Sequence, residues 1–213
     1  GPPGVGKGTQ GRRLASERGW PLISTGDMLR DAVARRTELG LQARDQMDAG
    51  FLVSDDVMIA LVRERTTAPD AAKGFILDGF PRTVPQAEAL DATLAERGTP
   101  LDLALCLALP EEDLVRRMTG RRECPVCLRA YNVHTASSRD GTHCDDHPTA
   151  ELRQRPDDTP ETVRRRIGVY RDPPEPLVGY YEAGRRLAQV DGSGPVERVQ
   201  TALRGAVDRS VGR

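Results

Sequence analysis

The sequence predicts an α/β P-loop fold, a doubly wound parallel sheet of five strands flanked by helices. Three observations predict it: a glycine-rich phosphate loop at Gly1 to Thr9, an apolar strand that ends in Asp78, and strand–helix alternation along the chain. The loop Gly1-Pro2-Pro3-Gly4-Val5-Gly6-Lys7 fits G-x-x-x-x-G-K, with Gly8 and Thr9 following. Its glycines permit backbone angles that a Cβ would forbid, so successive N–H groups can turn toward one anion. Lys7 adds a point charge, and a helix starting just beyond aims its positive end at the same place. A plain Gly/Pro turn is the alternative, but it gives no reason for Gly-Lys after a six-residue glycine frame. The Ser/Thr that meets Mg²⁺ in such loops is displaced by one position, to Thr9. A phosphate loop follows a buried strand, so the first of the five strands is expected upstream of Gly1.

Taken in order, Thr9 to Arg18 reads as a helix stopped by Gly19. Pro21 to Thr25 is a short strand, and Gly26-Asp27 leads into a helix with Met28 and Leu29 inward. Thr37 to Ala49 is a helix ended by Gly50. Ser54 is a cap for the next, where Val57, Leu61 and Val62 share a face. Residues 25–67 therefore form a helical insertion. Gly74 to Asp78 reads as a buried strand, and Thr83 opens a helix running to Arg97 with Gly98 as its stop. Leu101 to Leu109 has the continuous apolar character of a central parallel strand. Glu111 to Met118 is helical and ends at Gly120. Residues 121–157 show neither helical nor strand period and hold three of the four cysteines. Helical character returns after Asp158 and Pro160, Leu187 to Val190 is the last strand, and Pro195 starts the final helix.

The 213 residues suffice for one domain with insertions. Charged residues make up 30%, yet the net charge is −1, which gives no reason to expect nucleic-acid or membrane partners. Only Lys7 and Lys73 among 31 basic residues are lysines, a bias that reflects genome composition more than phosphate clamping and makes Lys7 stand out. No membrane span or signal peptide is visible, and a cytoplasmic protein is the default.

Asp78 ends its strand as the Mg²⁺-linked Asp of P-loop proteins does; a turn cap is the alternative. Arg82 just beyond can clamp a phosphate or form a surface ion pair. Thr83-Val84-Pro85-Gln86 fits a capping box, with Gln86 reaching back to the Thr83 backbone. Gln86 could instead pair with a purine edge, and spacing alone favours the cap. Cys124-Pro125-Val126-Cys127, sixteen residues and Cys144-Asp145-Asp146-His147 form a zinc-ribbon pattern with Cys₃His ligation. Asp146 competes with His147 as fourth ligand but sits one residue short, while His134 and His143 are expected to be solvated. A segment with so few apolar residues cannot form a core, so a metal explains how it folds. Disulfides would leave an odd thiol, and Cys106 reads as plain core. Arginines flank both ends of this segment: Arg117, Arg121 and Arg122 before it, Arg155, Arg164, Arg165 and Arg166 after. A lid closing over phosphates needs such an arrangement.

Six stretches carry a resemblance: Gly1 to Gln10, Ser24 to Arg30, Asp78 to Thr83, Gly120-Arg121-Arg122, Arg155 to Asp158, and Glu161 to Arg166. Together they resemble the adenylate kinases of the long, zinc-bearing type, over essentially all 213 residues. In that family Gly-Lys-Gly-Thr is the normal form of the loop, which accounts for Thr9. The resemblance implies a core of residues 1–24, 68–120 and 158–213, an NMP-binding insert at 25–67, and a lid at 121–157. It also implies about six residues of strand upstream of Gly1.

The resemblance further implies reversible transfer of the γ-phosphoryl of MgATP to AMP, giving two ADP, by a monomer. Gly4, Val5, Gly6, Lys7, Gly8 and Thr9 would hold the donor phosphates. Arg117 would lie against the donor adenine and Arg121 would reach its phosphates, with Tyr131 and Gly194 at the same site. Thr25, Arg30, Met47, Val53, Gly79, Arg82 and Gln86 match acceptor positions, so that Gln86 reads the AMP base. Arg155 and Arg166 match lid arginines that hold the phosphates in transit. Lys7, Arg82, Arg121, Arg155 and Arg166 are then the catalytic charges, with Asp78 toward Mg²⁺. Zinc would be structural, on Cys124, Cys127, Cys144 and His147. Tyr131 and Val133 fit the lid hairpin of that family, whereas His134 to Thr142 departs from its Pro-rich stretch. Three alternatives stand beside this reading: a kinase for another nucleotide, a zinc-ribbon nucleic-acid module and an inactive homologue. The module would need a basic, aromatic-bearing face, but the segment carries Asp140, Asp145 and Asp146, and its one aromatic is Tyr131.

Overall fold

The computed structural model describes residues 1–49, 51–171 and 174–211. Helix α1 (Lys7–Arg18) begins two residues before its expected start, because Gly6, at φ 106°, turns the chain directly into it. Gly19, at φ 66°, closes it by donating its N–H to the Ala15 carbonyl. Strand β1 (Leu22–Ser24) runs straight into α2 (Thr25–Ala34), where the Ser24 hydroxyl accepts from the Asp27 N–H. Helices α3 (Glu38–Ala49) and α4 (Asp55–Thr66) complete the insertion. The expected stop at Gly50 lies outside the described residues. Ser54 does occupy the cap position of α4, but its side chain makes no cap bond, and Asp55 and Asp56 supply the negative charge there.

Strand β2 (Ile76–Asp78) lies parallel to β1, with Ser24 beside Asp78. Helix α5 (Val84–Glu96) is capped by Thr83, whose hydroxyl accepts from the Gln86 N–H. Strand β3 (Ala104–Ala108) leads to α6 (Glu111–Thr119). The segment without a period of its own holds the hairpin that the resemblance implies at Tyr131, β4 (Arg121–Glu123) and β5 (Ala130–Asn132), in antiparallel register. Helices α7 (Pro160–Arg171) and α8 (Pro174–Ala183), strand β6 (Leu187–Asp191) and helix α9 (Val196–Val211) follow. None of the described helices is long and apolar enough to cross a membrane.

The parallel strands form two pairs, β1 with β2 and β3 with β6. Among the described residues no ladder joins β2 to β3. Ile76, Leu77, Ala104 and Leu105 line a space shared with the main cleft. For that reason β2, expected to be buried, is only half-buried along its length. Cys106, expected in the core, is half-buried too.

Two apolar clusters hold the two flanks. Val5, Leu107, Met118, Ile167 and Leu203 join the phosphate loop to β3, α6, α7 and α9. Leu29, Val53, Met58, Val62, Leu90 and Leu94 join the insertion to α5. Each such side chain contributes about 1.5–3 kcal/mol when fully buried. The third cluster contains Cys124, Tyr131 and Cys144 as its buried members, too little apolar surface to fold the hairpin alone.

Candidate active site

The phosphate loop is held from below. Gly4 sits at φ 82°, and a Cβ there would meet the Met118 side chain at 2.6 Å, so glycine is required twice over. Lys7 folds its ammonium back onto the carbonyls of Gly1 and Pro2, both at 2.8 Å. Gly8 faces the end of β2: a Cβ on it would lie 3.5 Å from the Asp78 carboxylate. Burial lowers the Lys7 pKa to about 8; Asp78 opposes this, while Arg82, Arg166 and Arg121 repel its charge. Those cations come from α1, the loop after β2, β4 and α7. Five basic and acidic groups distant in sequence thus meet at one point.

On the other side of Asp78 the loop Gly79–Thr83 contains a cis Phe80–Pro81 peptide. The Thr25 hydroxyl lies 3.3 Å from the Asp78 carbonyl and 3.1 Å from that of Gly79, tying α2 to the loop. Arg82 Nε donates to the Gly79 carbonyl at 2.8 Å. Arg30 pairs with Asp27, which Arg12 also approaches at 3.5 Å. Gln86 is buried and does not reach the Thr83 backbone as the capping box predicts. Its Oε1 accepts instead from the Arg82 N–H at 2.8 Å, and its Nε2 donates to Asp55 at 2.6 Å. Met47 and Val53 pack in the insertion, Val53 at its core.

Arg121, Arg155 and Arg166 are each held by an acid. Arg121 makes a two-pronged pair with Asp158 at 2.8 and 2.6 Å, and Asp158 is fully buried. Arg155 pairs with Glu123, and Arg166 with Asp157 at 2.5 Å. Burial pushes the Arg166 pKa down, with Asp157 opposing and Arg121 assisting. Arg117 spans from the Val5 carbonyl (3.5 Å) to that of Gly192 (3.2 Å), linking the phosphate loop to the turn before α9 that carries Gly194. Tyr131 is buried within the lid, its hydroxyl accepting from the Asp145 N–H at 2.9 Å and lying 3.4 Å from Cys144 Sγ. Asp27, Asp157 and Asp158 lie in stretches that carry the resemblance but were given no role of their own, and Asp55 and Glu123 lie outside those stretches.

Cys124, Cys127, Cys144 and His147 place their ligand atoms within 4.8 Å of one another. Cys127 and Cys144 sulfurs are 3.7 Å apart, and His147 Nδ1 lies 3.7 Å from Cys144 Sγ and 4.0 Å from Cys124 Sγ. Tetrahedral zinc with bonds of about 2.0–2.3 Å sets separations near 3.5–3.8 Å; two of these three distances match and the third is slightly longer, and three thiols with one imidazole are a zinc-type donor set. All four cysteines are free thiols. Asp146 pairs with Arg129 at 2.6 Å, outside the cluster, and His143 pairs with Asp140 at 2.8 Å.

One cavity of ≈ 1660 Å³ runs from the phosphate loop past Asp78 to Gln86 and includes the space between the strand pairs. It exceeds the roughly 300–1,000 Å³ of a single-ligand pocket. Cations that close on Asp78 from both flanks suit two phosphate-bearing ligands meeting there. That is the class of the protein: a P-loop enzyme that moves a phosphoryl group between nucleotides. The adenylate kinase family profile matches residues 1–185. An adenylate kinase of Thermodesulfovibrio yellowstonii is 50% identical over 203 residues, 95% of this chain and 94% of its own. One of Archaeoglobus fulgidus is 47% identical over 209 residues, 98% of this chain and 96% of its own. One of Salinispora tropica is 50% identical over 200 residues, 93% and 91% of the two chains. The chain belongs to the adenylate kinase family. It is an ATP:AMP phosphotransferase, interconverting ATP plus AMP with two ADP.

Proposed function

We propose that Asp78 divides the cleft into a donor side and an acceptor side, and that the cations meeting there carry the transfer. On the donor side Gly4, Val5, Gly6, Lys7, Gly8 and Thr9 hold the phosphates of MgATP, with Arg117 and Gly194 toward the adenine. On the acceptor side Thr25, Arg30, Met47, Val53, Gly79 and Gln86 receive AMP. The observation that carries this reading is geometric: Lys7, Arg82, Arg121 and Arg166, from four separate elements, line one cleft beside Asp78. Such a cluster is stabilised by a polyanion. Tyr131, whose hydroxyl is engaged with Asp145 and Cys144, lines the same cavity and stands on the donor side.

No protein base is required, because the acceptor phosphate is already an anionic nucleophile. Catalysis is alignment plus neutralisation of charge on the phosphoryl group in transit, by Lys7, Arg82, Arg121, Arg155 and Arg166. Asp78 and Thr9 would face the Mg²⁺ of the MgATP substrate, which would supply further positive charge. Arg121, Arg155 and Arg166 rest on Asp158, Glu123 and Asp157, so their side chains are already ordered when phosphate arrives.

Cys124, Cys127, Cys144 and His147 would hold zinc, which would supply the folding energy of the lid and stand apart from the chemistry. Residues 121–157 form that lid, 25–67 the NMP-binding insert, and 1–24, 68–120 and 158–213 the core. The space between β2 and β3 suits a fifth parallel strand, which would complete the doubly wound sheet. The enzyme works as a cytoplasmic monomer, in keeping with its free thiols. ADP formation from MgATP with AMP, GMP, CMP or UMP in parallel tests the assignment. Turnover confined to AMP is expected; equal turnover with all four would remove Gln86 from base recognition.

A further inference from the structure

We infer that Asp55, which does not line the cleft, fixes which way round the Gln86 amide faces and thereby sets the base preference of the acceptor site. The inference rests on Gln86 reading the acceptor base. Gln86 is 2% exposed, on the first turn of α5, and lines the cavity. Its Oε1 accepts from the Arg82 N–H at 2.8 Å and its Nε2 donates to Asp55 Oδ1 at 2.6 Å. The other Asp55 oxygen accepts from the Thr83 hydroxyl at 2.7 Å.

A carboxamide has two protons on nitrogen and two lone pairs on oxygen. A peptide N–H only donates and a carboxylate only accepts, so each partner alone dictates the orientation of the amide, and the two agree. Turning the amide over would set donor against donor at Arg82 and acceptor against acceptor at Asp55, at a buried position where neither can be met by water. One Nε2 proton and one Oε1 lone pair stay uncommitted. Adenine presents an N6 donor beside an N1 acceptor, which that pair satisfies together. Hypoxanthine and guanine present an O6 acceptor beside an N1 donor, the reverse order, and suit only the inverted amide. Asp55 is therefore a positioning residue, reaching from the first turn of α4 to hold a side chain of α5.

The test is kcat/KM for AMP and for IMP with saturating MgATP, in the parent enzyme, Asp55→Asn and Gln86→Ala. An asparagine amide can rotate to donate to an inverted Gln86 oxygen, which leaves only the Arg82 N–H opposing inversion. The AMP/IMP ratio is expected to fall about tenfold in Asp55→Asn, with kcat for AMP retained, and at least as far in Gln86→Ala. A ratio unchanged in Asp55→Asn but lowered in Gln86→Ala overturns the role of Asp55 and leaves Gln86 as the reader. A ratio unchanged in Gln86→Ala overturns the base-reading role itself. Parallel losses with AMP and IMP in Asp55→Asn make Asp55 merely structural and also overturn the inference. If Asp55→Asn does not fold, Asp55→Ser, whose hydroxyl likewise donates and accepts, is read in its place.

Discussion

Arg121 and Asp158 form a two-pronged ion pair, 2.8 and 2.6 Å, across 37 residues of sequence, with the carboxylate fully buried. The pair joins strand β4 to the start of α7. Removing one member of such a pair strands the other charge. Asp158→Ala is expected to lower unfolding free energy by about 3 kcal/mol, read as a shift of the urea midpoint. An unchanged midpoint would mean that the pair exists only for catalysis.

The proposed lid is expected to depend on the metal that Cys124, Cys127, Cys144 and His147 would hold. Cys144→Ser removes one ligand from a segment with almost no core of its own. Bound zinc should drop from one per chain toward zero, and the melting temperature should fall by about 5–10 °C. A full complement of zinc with an unchanged melting curve would exclude the structural role.

Lys7 gives the stability a sign that can be measured. Burial first, and the surrounding arginines after it, lower its folded pKa from 10.5 to about 8. Between those values the unfolded chain binds a proton that the folded chain lacks, so this group makes stability rise with pH across the window. Below about 8 both states are protonated and the cost of the buried charge is complete. Lys7→Met should therefore gain on the parent most at pH 7 and progressively less toward pH 10. A difference in urea midpoint that stays constant over that range would contradict the lowered pKa.

Much of this was legible in the sequence because it is local. The phosphate loop, the Thr83 cap and the Gly19 and Gly98 stops depend on neighbours within a few residues, and each lies where the pattern put it. The strands β3 and β6 announced themselves by apolar runs. The hairpin β4–β5 did not, because its three-residue strands are shaped by cysteine knuckles rather than by hydrophobic alternation. Nor did the carboxylate partners: Asp158 beside Arg121, and Asp55 beside Gln86 across 31 residues, are products of tertiary packing. Gln86 shows the limit most clearly. Its spacing correctly marked a side chain that reaches back along the chain, but the N–H it meets belongs to Arg82, one residue before the cap.

The central claim is that cations meeting beside Asp78 stabilise the phosphoryl group in transit. The direct measurement is steady-state ADP formation by Arg82→Ala, with KM determined separately for MgATP and AMP and zinc content checked. The account predicts a kcat lower by at least about a hundredfold, the scale of losing one preorganised charge at a reacting centre. The KM for MgATP should change little, and zinc content and folding should be intact. An unchanged kcat, whatever the KM for AMP, would remove Arg82 from the transfer step and contradict the account.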